Sequence, residues 1–233
     1  MWLINSSVGR KVIMSVTGVA LVLFLTFHMA MNLVAIISAE AYNTVCAFLG
    51  ANWYALVGTI GLAALFIIHI IYAFWLTFQN RKARGNARYD VVARPKNVEW
   101  ASQNMLVLGI IIFVGLGLHL AHFWAKMQLP EIVHAMGGHV DAQVLENVAN
   151  GTYHISKTFS NPAHVILYLV WLAALWFHLT HGFWSSMQSL GWNNRTWINR
   201  WETISRWYST IIVLGFAVVI LVFYFQSFQQ AMS

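Results

Sequence analysis

Residues 103–125 read QNMLVLGIIIFVGLGLHLAHFWA: 23 consecutive positions without a charged side chain, yet with His119 and His122 near one end. A hydrocarbon core needs about 20 helical residues to cross, so this stretch has the length and polarity of a membrane span. Four more stretches have the same character, at about 12–37, 53–78, 163–187 and 207–228. Backbone polar groups in lipid must be satisfied within the segment or in a closed barrel. These runs lack the alternation of barrel strands, so the predicted fold is all-α: one integral membrane bundle of five helices over residues 1–233.

Composition agrees. Of 233 residues, 59% are hydrophobic and 9% charged, and the mean hydropathy is +0.64. A soluble domain carries about 25% charged residues, and this chain has too few to cover a surface in water. The first stretch far exceeds the roughly 7–15 apolar residues of a signal peptide and is read as a span. Cys46 is the single cysteine. That excludes a disulfide framework, a thiolate-held cluster and covalent haem attachment through paired cysteines. Cys46 itself is read as a small apolar packing residue.

The pI near 9.7 reflects topology. Arg10 and Lys11 precede the first span, Arg81, Lys82, Arg84, Arg88, Arg94 and Lys96 follow the second, and Arg195, Arg200 and Arg206 follow the fourth. Only Lys126 and Lys157 fall on the other side, eleven against two. The positive-inside rule then places the N-terminus inside and the C-terminus outside, with the basic segments facing anionic headgroups and no role in nucleic-acid binding. Arg94-Pro95 predicts a break before the third span. In the outer segment 126–162, Val140, Val144, Leu145 and Val148 predict a short amphipathic helix over Asp141–Ala149. Tryptophans near span ends, Trp53, Trp100, Trp124, Trp192, Trp197, Trp201 and Trp207, read as interfacial anchors.

One histidine sits well inside each of the first four spans: His28, His69, His119 and His178. A polar ring at that depth is costly and points to function. With the orientation fixed, each has a height. His28 lies 17 residues beyond Lys11 and His119 16 beyond Gln103, or about 24–26 Å up outward-running helices. His69 lies 16 residues below Trp53 and His178 16 below Pro162, about 24 Å down inward-running ones. The expectation is two levels, His28 with His119 outside and His69 with His178 inside, separated by roughly 10–15 Å.

Two imidazoles per level are few for a zinc site and match the two axial ligands of a haem iron, whose porphyrin supplies four nitrogens. The reading is therefore two b-type haems, with Gly58, Gly61, Gly109, Gly115 and Gly117 offering close approach between helices. A carboxylate proton relay is disfavoured, because Glu40, Asp90, Glu99, Glu131, Asp141, Glu146 and Glu202 all fall at span ends or in loops. His122 and His181 follow His119 and His178 by three residues and share their helix faces. They are alternative ligands, or partners of a propionate or quinone. His134, His139, His154 and His164 read as surface residues of the outer segment.

Several motifs carry a resemblance: Ser6-Ser7-x-Gly9-Arg10-Lys11, Thr17-Gly18, His28-x-x-x-Asn32, Ala39-Glu40-Ala41-Tyr42-Asn43, His69 followed by Tyr72, HLAHFW at 119–124, and FHLTHGFWS at 177–185 followed by Gly191-Trp192. In this order along five spans the chain resembles the dihaem cytochrome b membrane anchor of bacterial succinate:quinone oxidoreductases and related fumarate reductases. The resemblance implies axial ligands at His28 and His119 for an outer haem and at His69 and His178 for an inner one. It also implies a flavoprotein subunit and an iron–sulfur subunit on the cytoplasmic face of the bacterial inner membrane, the latter docked on 79–102 and 192–206. Electrons would pass to a quinone, expected to be menaquinone, in a complex whose dicarboxylate site lies outside this chain. Glu40 is a candidate for proton exchange near the quinone, against a plain surface carboxylate. The dihaem fumarate reductases carry a carboxylate just before the fourth-span ligand, where this chain has Leu175-Trp176-Phe177; that favours succinate oxidation over quinol:fumarate reduction. The cytochrome b subunit of a hydrogenase or formate dehydrogenase is an alternative with the same chemistry, and a non-redox membrane protein with structural histidines is a third.

The charge distribution generates a direct test. A cytoplasm-active reporter fused to the N-terminus and an exported phosphatase fused to the C-terminus should both be active, and inactivity of the C-terminal phosphatase would reverse the assigned orientation.

Overall fold

Helices of the computed structural model follow the expected spans, and residues 6–50, 52–84 and 100–232 are described. They form α1 (Ser7–Ile37), α2 (Ala39–Phe48), α3 (Trp53–Arg84), α4 (Trp100–Gln103), α5 (Met105–His122), α6 (Gln128–Ala135), α7 (Ala142–Asn147), α8 (Gly151–Phe159), α9 (Pro162–Ser189) and α10 (Trp197–Met232). No strand occurs among the described residues. Five helices, α1, α3, α5, α9 and α10, are long and apolar enough to cross a membrane. The chain is a multi-pass membrane protein.

Local chemistry sets the helix ends. Ser6 Oγ accepts from Gly9 N–H at 2.9 Å and starts α1. Ser38 is extended, which ends α1, and its hydroxyl accepts from Ala41 N–H to start α2 at once. Asn161 caps α9 with Pro162 in the first turn, where a missing N–H costs nothing. The C-terminus of α9 closes in a Schellman turn: Gly191 takes φ +83°, and Trp192 N–H reaches Met187 C=O at 2.9 Å. Gly137, at φ +81°, closes α6 the same way through Gly138 N–H to Val133 C=O. These two positions need the left-handed region that glycine enters freely.

The helices extend past the predicted spans at most ends, because capping and interfacial residues continue the turns beyond the apolar run. The third ends earlier: α5 stops at His122 and a 3-10 turn, Trp124–Lys126, follows. The expected helix over Asp141–Ala149 is present as α7, with Asp141 as its cap. Much of the rest of segment 126–162 is helical too, in α6 and α8, and α2 fills the connection after α1. Arg94-Pro95 lies outside the described residues. Gln79–Arg84 of the expected basic loop belong to the end of α3.

The core lies among α1, α9 and α10, where Val22, Met29, Tyr168, Leu172, Leu175, Leu179, Ile212, Ile220 and Phe223 are buried together. Ser205 and Ser209 are fully buried on α10 and let it lie close to α9. By contrast α3 packs chiefly on α1, and no side chain described on it is fully buried. Its large apolar groups, among them Ile60, Ile67, Ile71 and Phe78, face outward, as lipid requires. At the end that carries the short helices, Gln128 ties three elements together: its Oε1 accepts from Thr59 Oγ1 and Trp124 Nε1, and its Nε2 donates to Gly50 C=O. Asn43, Asn150 and Thr152 bond α2 to α8.

Gly115 admits the Trp171 indole against α5. A Cβ built there would lie 2.2 Å from the indole, and Trp171 Nε1 donates to Ile112 C=O at 3.2 Å. Gly115→Ala should destabilise the detergent-solubilised bundle by about 1–3 kcal/mol through overpacking, read as a lowered thermal midpoint. An unchanged midpoint would contradict this α5–α9 contact.

Candidate functional site

The structure brings the four intramembrane histidines together in two pairs. His28 on α1 and His119 on α5 have ring centroids 5.7 Å apart with planes at 88°. His69 on α3 and His178 on α9 are 6.4 Å apart at 68°. These are the pairs that depth arithmetic predicts. Two imidazoles that hold one metal between them from opposite sides, each bond near 2 Å, have ring centroids roughly 6 Å apart.

Two helices report the separation of the levels independently. On α1, Thr17 bonds His69 and lies 11 residues before His28, roughly 16 Å along the axis. On α5, Gly109 lies against His178, a Cβ there standing 3.9 Å from Cε1. His119 is 10 residues on, roughly 15 Å away. The spacing is at, and by one measure just above, the upper end of the expected range.

The pair nearer the short helices is walled by aromatics. His28 stacks on Phe24 and faces Phe216; His119 faces Phe123, Tyr168 and Trp171. Asn32 Nδ2 donates to His28 C=O at 2.8 Å and lies 3.5 Å from His28 Nε2, while Tyr42 OH donates to Asn32 Oδ1. The amide nitrogen can only donate, so Nε2 presents its lone pair. In the other pair, Gly18 makes room for His69, since a Cβ would stand 3.3 Å from its Cε1.

These residues fit a haem by three observations. His178 Nδ1 is buried with no hydrogen-bond partner, unusual for a polar atom held only by packing. Gly18 and Gly109 leave room beside the rings of His69 and His178. Each level offers two imidazole donors, a set that suits an iron that brings four ligands of its own. The other expected glycines differ: Gly115 holds Trp171, while a Cβ on Gly58, Gly61 or Gly117 would meet no atom within 4 Å.

His122 and His181 stand apart from the pairs. The ring of His122 lies 4.4 Å from that of His164, and its Nδ1 is 3.2 Å from Tyr168 OH. His181 packs against Trp184. Glu40 is exposed in the first turn of α2, where it complements the helix dipole as a surface carboxylate does. His134 and His139 are exposed as expected. His164 is half-buried, with Nδ1–H donating to Thr158 C=O. His154 departs from its expected surface place: it is buried in α8, and its Nε2–H donates to Asn147 C=O at 3.0 Å. A lone histidine in a polar connection gave no hint of this burial.

Two residues acquire roles that the span pattern alone did not assign. Thr17 lies three helical turns from His28 and so on the same face of α1. Trp171 lies two turns before His178 and packs on His119. That periodicity is the signal that could have found them. Comparison with family models, with curated proteins and with solved structures returned no match to this chain.

Burial holds the His154 imidazole below its ordinary value of 6.5, with Lys126 and Lys157 adding to the effect and the bond to Asn147 opposing it. The folded state thus favours the neutral ring. Its contribution is complete above the unfolded pKa and is lost as pH falls through the lowered folded one. Cys46 lies against Gly151, the first residue of α8, and reports on this region. Its thiol labelling, corrected for the thiolate fraction, should accelerate as pH falls from about 7.5 to about 5.5, and His154→Gln should flatten the acceleration. Equal pH dependence in both proteins would exclude His154 as the cause.

Proposed function

We propose that this chain is the dihaem cytochrome b anchor of a succinate:quinone oxidoreductase in the bacterial inner membrane. The observation that carries the reading is the meeting of four intramembrane histidines as two pairs on four different helices. Chance placement of polar rings at membrane depth is expensive, and these four converge two by two with aromatic walls and glycine clearances around them.

His28 and His119 would hold one haem b and His69 and His178 the other, each through neutral imidazoles. Bound there, a haem supplies reversible one-electron transfer at its iron. The chain's part is to orient the rings, to exclude water and to keep two levels within one bundle. Aromatic groups close the outer level, and the buried contacts of α9 with α1 and α10 keep its ligand-bearing face fixed. Electrons would enter from an iron–sulfur subunit, itself fed by a flavoprotein subunit, and leave to a quinone, with menaquinone the expected species. The docking face is the basic end: Gln79–Arg84 of α3 and the segment 192–206, where Arg200 lies over the Trp197 ring. This orientation puts the N-terminus in the cytoplasm and the short helices outside. Leu175-Trp176-Phe177 brings no carboxylate to the fourth span; Trp176 Nε1 donates instead to Thr210 Oγ1. This supports succinate oxidation as the working direction, with fumarate reduction its reverse.

The test is a reduced-minus-oxidised spectrum of the purified native complex. It should show b-type absorption from two haems per chain, with flavoprotein and iron–sulfur subunits co-purifying. His28→Ala or His119→Ala should remove one haem and leave the signal of the other; His69→Ala or His178→Ala should do the converse. Absence of haem from the intact complex would end the reading, and loss of a haem with His122→Ala but not His119→Ala would replace the ligand.

A further inference from the structure

Thr17 is buried on α1, 4% exposed, with its Oγ1 3.2 Å from His69 Nδ1. The same hydroxyl donates back along its own helix, to Ile13 C=O at 2.9 Å and Met14 C=O at 3.0 Å. Helical threonines commonly make this bond. A hydroxyl has one hydrogen, and here it goes to the nearer carbonyl acceptors. What it offers His69 is a lone pair. The Thr17 oxygen therefore requires Nδ1 to carry the proton.

We propose that Thr17 is a positioning residue that fixes His69 as the Nδ1–H tautomer, leaving Nε2 as the electron-pair donor to the inner haem. The proposal rests on the haem reading and deepens it. A ligand imidazole normally donates its second N–H to an oxygen, which orients the ring and makes it a stronger donor, and losing that partner typically costs 10–100-fold in metal affinity. Gly18 supports the arrangement: its missing side chain leaves the ring room beside Thr17. The inner pair is thus unequal. His69 is held by an acceptor, and Nδ1 of His178 has none.

A stronger donor stabilises ferric over ferrous iron, so removing the acceptor should raise the midpoint potential of the inner haem. The experiment is a redox titration of the purified complex carrying Thr17→Val or Thr17→Ser, with the outer haem as internal reference. Thr17→Val keeps the shape and removes the oxygen. It should shift the inner midpoint upward by about 59 mV for each tenfold preferential loss of ferric binding. Thr17→Ser restores the oxygen and should return the midpoint to the wild-type value. Loss of the inner haem alone in Thr17→Val, restored in Thr17→Ser, supports the proposal equally. An inner midpoint unchanged in Thr17→Val, or equally shifted in both variants, overturns it while leaving the haem reading intact. Wild-type complex without haem overturns the haem reading, and this proposal with it.

Discussion

A neutral imidazole inside a membrane must find partners for both of its nitrogens, and that requirement organises this molecule. Water is not at hand, and an unsatisfied polar atom in an apolar medium costs on the order of 1–3 kcal/mol or more. Four such rings on four helices meet as two pairs, each pair drawing together two spans that are not consecutive in the chain. The remaining nitrogens are handled individually: by the Thr17 oxygen at His69, by the Asn32 amide near His28, and by no protein group at Nδ1 of His178. The bundle supports this polar axis with an otherwise apolar interior.

The packing divides the labour. Helices α1, α9 and α10 form a conventional core in which Tyr168, Leu172, Leu175, Ile212 and Phe223 are shielded from any solvent. Helices α3 and α5 contribute a histidine each while burying little of themselves. Each pair therefore joins one helix of the core to one peripheral helix: His28 of α1 to His119 of α5, and His178 of α9 to His69 of α3. Aromatic contacts from Trp171 and Tyr168 reach the His28–His119 pair from α9, so one helix touches both levels.

Much of this was legible in the sequence because a membrane imposes strong constraints. Length and apolarity revealed the five crossings, and counting residues from span ends was enough to match His28 with His119 and His69 with His178. Depth is one-dimensional, and helical rise converts it directly from residue number. Rotation about the helix axis is harder to read. It decides that His122 turns to His164 and Tyr168, and that Thr17, not a more conspicuous residue, supports His69. The burial of His154 was not legible either, since it depends on how α7 and α8 fold over the bundle end, a matter of short capped helices whose individual signals are weak. The same applies to the glycines: Gly109 and Gly18 lie against histidine rings, while Gly115 accommodates an indole, and composition alone does not distinguish these uses.

The one-sided attachment of α3 has a consequence for the life of the protein in the cell. A helix that rests mainly on α1 and buries no described side chain completely detaches at lower cost than the core helices α9 and α10, since opening free energies follow buried contact. A haem held between His69 and His178, as proposed, would act as its latch. Newly inserted chains would then be distinguishable from mature ones by the mobility of a single hairpin arm, giving membrane quality control a physical mark by which to sort finished copies from unfinished ones.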